Sequence, residues 1–348
     1  VRWTNPPIAR RRSATHPASL KISIARRIMS RGYFVDIAAA ADFLGPGAIE
    51  VNRYQSEITD LVRRRGAFGQ RIRQVPATGH PSRFFEQTAI NASAAFVDPR
   101  AINPAAGAPT RVERTVPLKA LVAQINFSLF DLEVTRQQQQ FAFLEAKDLA
   151  DTIDGLLRKH DQALWNGTDT SFTTPTTLEY YGALRQLTDA GSEVQITDPS
   201  ASIVDHIKAQ VTTMVARSDF EVRPTAIYAN PQTLDLIDRE LKAIHNVILS
   251  TRTVEGGITV KEISTQAGTL PLIPDWTILV EDAGTNRIHD VVIVSEELIE
   301  YHWLTDVNPR VFQLGLPSSL STQMVVVKFG AIVVKGAGYA HKRLRFVR

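Results

Sequence analysis

The sequence predicts an α+β fold, on three observations. Residues 135–167 hold one helical period throughout. Two strand-like segments flank about forty proline-rich residues, an unusually long loop for a compact domain. From Asp198 onward, short helical and strand patterns alternate.

The long helix comes first because its neighbours take their meaning from it. In TRQQQQFAFLEAKDLADTIDGLLRKHDQALWNG, Leu149, Ile153, Leu156, Leu157, His160 and Leu164 recur at three- and four-residue steps and share a face. Glu145, Asp148, Asp151, Asp154, Arg158 and Asp161 fall largely opposite, with Asp154 and Arg158 at a favourable acid-first spacing. Thr135 and Gln138 suit a capping box, and Gly167 suits a left-handed stop. Such a helix would span roughly 50 Å at about 1.5 Å per residue.

The totals bound the rest. A chain of 348 residues can bury a substantial core as one large domain or two ordinary ones. No apolar run reaches the roughly 18 residues of a membrane span, so none is predicted. Cysteine is absent, which excludes disulfides and thiolate chemistry and fits a reducing compartment. The net charge of +3 hides an asymmetry: residues 1–35 carry eight Lys or Arg and no acid, leaving −5 on the remainder. These are Arg2, Arg10, Arg11, Arg12, Lys21, Arg26, Arg27 and Arg31, candidates for contact with DNA or with acidic neighbouring subunits. An arginine- and serine-rich transit peptide is the competing reading of this arm.

Residues 36–65 read as helical, with Ile58, Leu61 and Val62 on one face after the break at Gly45-Pro46-Gly47. GQRIRQV (69–75) and LKALVAQINFSLFDL (118–132) alternate as strands, and Pro76, Pro81, Pro99, Pro104, Pro109 and Pro117 lie in or beside the gap. If the two flanks pair, they form the base of a projecting hairpin with Asn103-Pro104 and Gly107 near its tip. Residues 168–197 read as a Thr-rich loop with a helical piece near Leu184. Residues 200–217 are a capped amphipathic helix with Ile203, Ile207, Val211 and Val215 on one face. A buried strand (224–231) then leads through Asn230-Pro231 into a helix with proline at its first position. ITVKEIST, LPLI, WTILVED and HDVVIVS read as strands, and so do 324–334 and the basic end 340–348.

Motifs for chemistry fail. No phosphate-binding loop or nucleophile elbow is present, and Gly336-Ala337-Gly338 opens no helix. The histidines are scattered without metal-ligand spacing, and His160 reads as a hydrogen-bonded core residue. Glu296-Glu297 reads as solvated surface. Catalytic, cofactor and metal residues are therefore predicted to be none, and the chain is not predicted to be an enzyme.

In order, these parts resemble the major capsid protein of tailed bacteriophages, the Hong Kong 97-type capsid fold. TAIYANPQTLDLID (225–238), GTLPLIPDW (268–276) and VVVKFGAIVVKGAGYAHKRL (325–344) look like stretches of its axial and peripheral domains. The resemblance implies an N-terminal arm (1–65), a long projecting β-hairpin or E-loop (66–133), and a long spine helix with the first part of the peripheral (P) domain (134–197). An axial (A) domain (198–293) and return strands, mainly of the P domain (294–348), complete it. The implied function is a structural subunit that self-assembles as a homo-oligomer, into the hexamers and pentamers of an icosahedral shell around double-stranded DNA. Assembly would take place in the host bacterial cytoplasm, and the product is the virion. Scaffolding, protease, portal and cement proteins are implied partners, with no membrane and no cofactor. If the start at Val1 reflects maturation cleavage, a phage protease is implied; otherwise scaffolding is a separate protein. Some members join a hairpin lysine to a neighbour's asparagine, but residues 70–118 contain no lysine and the nearest is Lys119, so no such cross-link is expected. The helix stripe should lie beneath strands such as 324–334, its acidic face left for a neighbour's basic arm. An encapsulin-like nanocompartment shell is the alternative, followed by an α/β enzyme and a free nucleic-acid-binding protein.

Overall fold

The computed structural model describes residues 65–100, 106–128, 130, 133–134, 144–244, 250–254, 258–284, 286–314 and 321–348. The first described elements are a short helix, α1 (Phe68–Arg71), and strand β1 (Arg73–Pro76). Two strands follow, β2 (Ser82–Ala89) and β3 (Thr110–Val116), and then β4 (Lys119–Ser128). The long helix α2 is described over Leu144–Asn166; residues 135–143 of the expected helix lie outside the described residues. After α3 (Ala183–Asp189) and β5 (Glu193–Ile196) come α4 (Ile203–Val215), β6 (Ala226–Ala229) and α5 (Pro231–Ile244). The remaining strands are β7 (Ser250–Val254), β8 (Ile258–Thr265), β9 (Gly268–Pro274), β10 (Glu281–Ala283), β11 (Asn286–Val294), β12 (Ile299–Trp303), β13 (Arg310–Leu314), β14 (Ser321–Val334) and β15 (Lys342–Val347).

Two larger sheets result. In the first, β14 is the central strand: β4 runs antiparallel along one edge, while β13 and then β12 occupy the other, with β1 parallel beyond β12. The second has the order β5-β15-β11-β6-β9-β8-β7, with β10 folded back on β11. Although adjacent in sequence, β14 and β15 thus belong to different sheets. Arg343 ties β15 down, with a two-pronged contact to Asp290 on β11 (2.7 and 3.1 Å) and a 3.2 Å bond to Glu193 on β5.

Several expectations are corrected. Residues 69–75 are not one strand, and they do not pair with 118–132. Arg73–Pro76 pairs parallel with Glu300–Trp303, and β4 pairs with β14. The hairpin is instead β2 against β3, register Ser82↔Val116 through Ala89↔Thr110, a separate two-stranded sheet. WTILV is a turn, held because Asp275 receives the backbone N–H and hydroxyl of Thr277. On α4 the buried set is Ile203, Val204, Ile207, Val211 and Met214, while Val215 is exposed. Gly167 does not adopt a left-handed conformation; a Cβ there would collide with the Tyr180 carbonyl, so close approach demands the glycine.

The helix α2 packs on β4, β14 and α3. Leu156, Leu157 and Leu164 are buried as expected, but Ile153 and Leu149 are half-buried. Asp161, expected on the acidic face, is 1% exposed because it receives the Gly66 N–H at 2.8 Å. Trp165 is fully buried and stacks on Phe68 with ring centroids 3.9 Å apart. Leu164→Ala should therefore cost about 2–5 kcal/mol and Ile153→Ala clearly less. Urea denaturation monitored by tryptophan fluorescence checks this, and equal losses would contradict the burial order.

Candidate functional site

None of Arg2, Arg10, Arg11, Arg12, Lys21, Arg26, Arg27 and Arg31 falls within the described residues. Among the described residues no group of three or more His, Asp or Glu is placed to hold a metal ion. No described helix is long and apolar enough to cross a membrane. The features with functional content are an open sheet face, the root of the hairpin, and a buried lysine.

The open face follows from register. Across β4–β14–β13, the rows Leu121–Lys328, Ala123–Val326–Val311 and Ile125–Met324–Gln313 lie on one side. This is the side of Val326 and Lys328, which are 0% and 5% exposed. The opposite side carries Ala120–Phe329, Val122–Val327–Arg310, Gln124–Val325–Phe312 and Asn126–Gln323–Leu314. There Val122, Phe312 and Leu314 are 54%, 49% and 45% exposed, so apolar groups of β4 and β13 meet solvent beside the half-buried Val325 and Val327 of β14. The outer edge of β13 is also unpaired among the described residues. On the hairpin, Phe85, Ile90 and Phe96 are exposed as well.

The hairpin is held mainly at its root. Val116 and Phe84 pack against Ala331 and Val333 of β14. Ser82 Oγ lies 2.8 Å from His302 Nδ1, His302 Nε2 lies 3.1 Å from Glu300, and Lys335 pairs with Glu300 at 2.7 Å. The Gly336 N–H donates to Glu86 at 3.1 Å. Between root and body runs a cleft of about 350 Å³ lined by residues that include Phe84, Glu86, Arg114, Phe172, Tyr181 and Asp189.

Inside, Lys328 has no carboxylate within ion-pairing distance among the described residues, and its ammonium sits 5.0 Å from the Tyr301 ring. Burial lowers its pKa to about 8, against the pull of Asp161, while Arg65 lowers it further. Beside it His160 meets the Tyr180 hydroxyl at 3.3 Å and the Tyr301 ring edge-on at 4.8 Å. Burial, then Lys328 and Arg65, hold it well below the usual imidazole range. That makes His160 the hydrogen-bonded core histidine its spacing suggested. Gly330 lies against the Tyr301 hydroxyl so closely that a Cβ would overlap it. Glu296 departs from the expected solvated surface: it receives Arg71 at 2.7 and 3.0 Å and the Tyr228 hydroxyl.

No protein-family model and no curated protein matches the chain. Solved structures do match it. The capsid of a native GTA particle aligns at 13% identity with a TM-score of 0.59, covering 88% of this chain and 98% of that one. The capsid of Myoviridae phage XM1 aligns at 12% identity and a TM-score of 0.56, covering 86% and 99%. An encapsulin, the holo-SrpI complex from Synechococcus elongatus PCC 7942, aligns at 14% identity and a TM-score of 0.54, covering 89% and 94%. The chain therefore shares the fold of phage capsid and encapsulin structures across most of its length.

The buried lysine gives a pH prediction. Its folded pKa of about 8 lies below the ordinary 10.5, so the charged form is penalised on folding. This cost is fully present below about pH 8 and fades as pH rises toward 10.5. Lys328→Met should stabilise the chain by about 1–3 kcal/mol near neutral pH, with the advantage shrinking above about pH 8. Urea titrations across that window would refute the assignment if the gain were absent or independent of pH.

Proposed function

We propose that this chain is a structural subunit of an icosahedral bacteriophage capsid, which self-assembles into hexamers and pentamers enclosing double-stranded DNA. The observation that carries this reading is the fold match, which spans 86–88% of this chain and 98–99% of two capsid chains. In this reading β2–β3 is the E-loop, α2 the spine helix, the sheet around β14 the P domain, and the eight-stranded sheet the A domain. Portal, scaffolding, protease and cement proteins would be its partners in the host cytoplasm, and the virion its destination.

The open face of β4–β14–β13 supports the same reading, because a chain that works alone gains nothing from such a surface. The arginines of residues 1–35 would face the packaged DNA or a neighbour's acidic groups. The second reading is an encapsulin-like shell, favoured by the encapsulin match. Nucleic-acid content of purified shells separates the two.

Negative-stain microscopy of the purified chain should show closed shells tens of nanometres across; a stable monomer under all assembly conditions would sink the proposal. Phe312→Asp combined with Leu314→Asp should leave the subunit folded and abolish shells, since both side chains are about half exposed. A second outcome concerns covalent chemistry. Lys119, the lysine nearest the hairpin, already pairs with Asp169 at 2.9 Å and donates to the Thr177 carbonyl at 2.6 Å. Boiled in detergent, shells should return a single monomer band, and a ladder of multimers would contradict this.

A further inference from the structure

We propose that His302 is a proton-operated catch: neutral, it holds the β2–β3 hairpin against the body, and protonated, it lets the hairpin loosen. The proposal is independent of shell formation, because every group in it belongs to one subunit.

Hydrogen-bond logic fixes the resting state. Glu300 is 5% exposed, and its carboxyl is held below the usual range: Lys335, then His302, outweigh its burial. An ionised carboxylate only accepts, so His302 Nε2 must be the donor in the 3.1 Å contact. In the neutral ring Nδ1 is then an acceptor, and the partner at 2.8 Å, Ser82 Oγ, donates its hydroxyl hydrogen. Ser82 is the first residue of β2 and is 1% exposed. Protonation of the ring turns Nδ1 into a donor. Ser82 must then accept, and its hydroxyl hydrogen is left in a buried site where no other partner of Oγ is found among the described residues.

The surroundings decide which way the balance goes. From its own strand His302 faces Glu300, from the loop after β14 it faces Lys335, and from β1 Arg73 reaches Glu300 at 3.6 Å. From β2 it meets Ser82 and the edge of Phe84, whose ring lies 5.3 Å from Lys335. Protonation thus brings a third cation into a site where Lys335 and Arg73 already serve Glu300. Burial lowers the imidazole's pKa, Glu300 opposes this, and Lys335 adds to it, with a net shift below 6.5. A depressed histidine stabilises the folded arrangement above its ordinary value and loses that contribution as pH falls. A cleft of about 350 Å³ lies beside the root. Apart from the Val116 and Phe84 contacts, the Glu86–Gly336 bond is the other polar tie described.

Hydrogen exchange of the full chain, read by mass spectrometry and corrected for the intrinsic rate, tests this at about pH 7.5 and about pH 5. Protection of Ser82–Ala89 and Thr110–Val116 should fall about tenfold on acidification, with β11 as the unchanged reference. In His302→Gln the hairpin response should disappear. Ser82→Ala, which removes the catch from the hairpin side, should give low hairpin protection at both pH values. An acid response of wild-type size in either variant would overturn the proposal, and so would an unresponsive hairpin in the wild type.

Discussion

The buried carboxylate of Asp275 is the constraint on which the rest of the fold depends. It is fully buried, and it receives four donors: the Phe68 N–H at 2.9 Å, the Trp165 indole at 3.3 Å, and the N–H and hydroxyl of Thr277 at 3.0 and 2.6 Å. A carboxylate without donors in such a place would be prohibitive. Here the donors come from the start of α1, the end of α2 and the turn after β9. Its own N–H reaches the Ala229 carbonyl at 2.9 Å, at the end of β6. Phe68, Trp165 and Tyr228 close around this point, with Phe68 stacked on Trp165 and edge-on to Tyr228. The same core takes in Val292 and Val294 from the eight-stranded sheet, and Tyr301, Ile332 and Val334 from the five-stranded one. The two sheets therefore share one interior, and the clasp at Asp275 sets how the long helix and α1 meet it.

What could be read from the sequence was whatever depends on near neighbours along the chain. Periodicity gave the faces of α2 and α4, the alternation of β4, and the buried run of β14, because side-chain direction repeats locally. Partner choice was a different matter. Residues 69–75 and 118–132 looked like two sides of one hairpin only because they bracket the same loop. The actual partners of β1 and β4 lie about two hundred residues further on, where no local pattern points. Asp161 shows the same limit at the level of one side chain. Its spacing put it on the polar face, and its burial there is compensated by the Gly66 N–H and by Arg65 at 3.5 Å. The WTILV stretch alternates well enough for a strand, but the Asp275–Thr277 turn takes precedence over it.

The candidate site was less legible, for a related reason. A lone histidine at 302 and a lone serine at 82 carry no spacing signal, and their contact crosses 220 residues. Lys328 was visible as a single charge in an apolar run, yet nothing local tells a buried lysine from one that reaches the solvent along its stem. The arginines of residues 1–35 were the plainest signal in the sequence, and they lie outside the described residues.

Cohesion within the chain leaves a set of apolar residues unused. Three apolar clusters close inside the described chain without using Phe312, Leu314, Val122 or the exposed residues of the hairpin. Among the described residues, apolar groups of β4 and β13 and the edge of β13 therefore still meet water once these clusters have formed. Proteins that remain alone blunt such edges with charge, proline or a covering segment. On β13 only Arg310 could serve that purpose, at one end, with Val311, Phe312 and Leu314 beyond it. Cysteine is absent from the chain, so no disulfide can hold it to another copy, and in the proposed shell buried area would have to supply the strength. For the shell subunit proposed above, a face left open by folding would let assembly follow folding rather than compete with it.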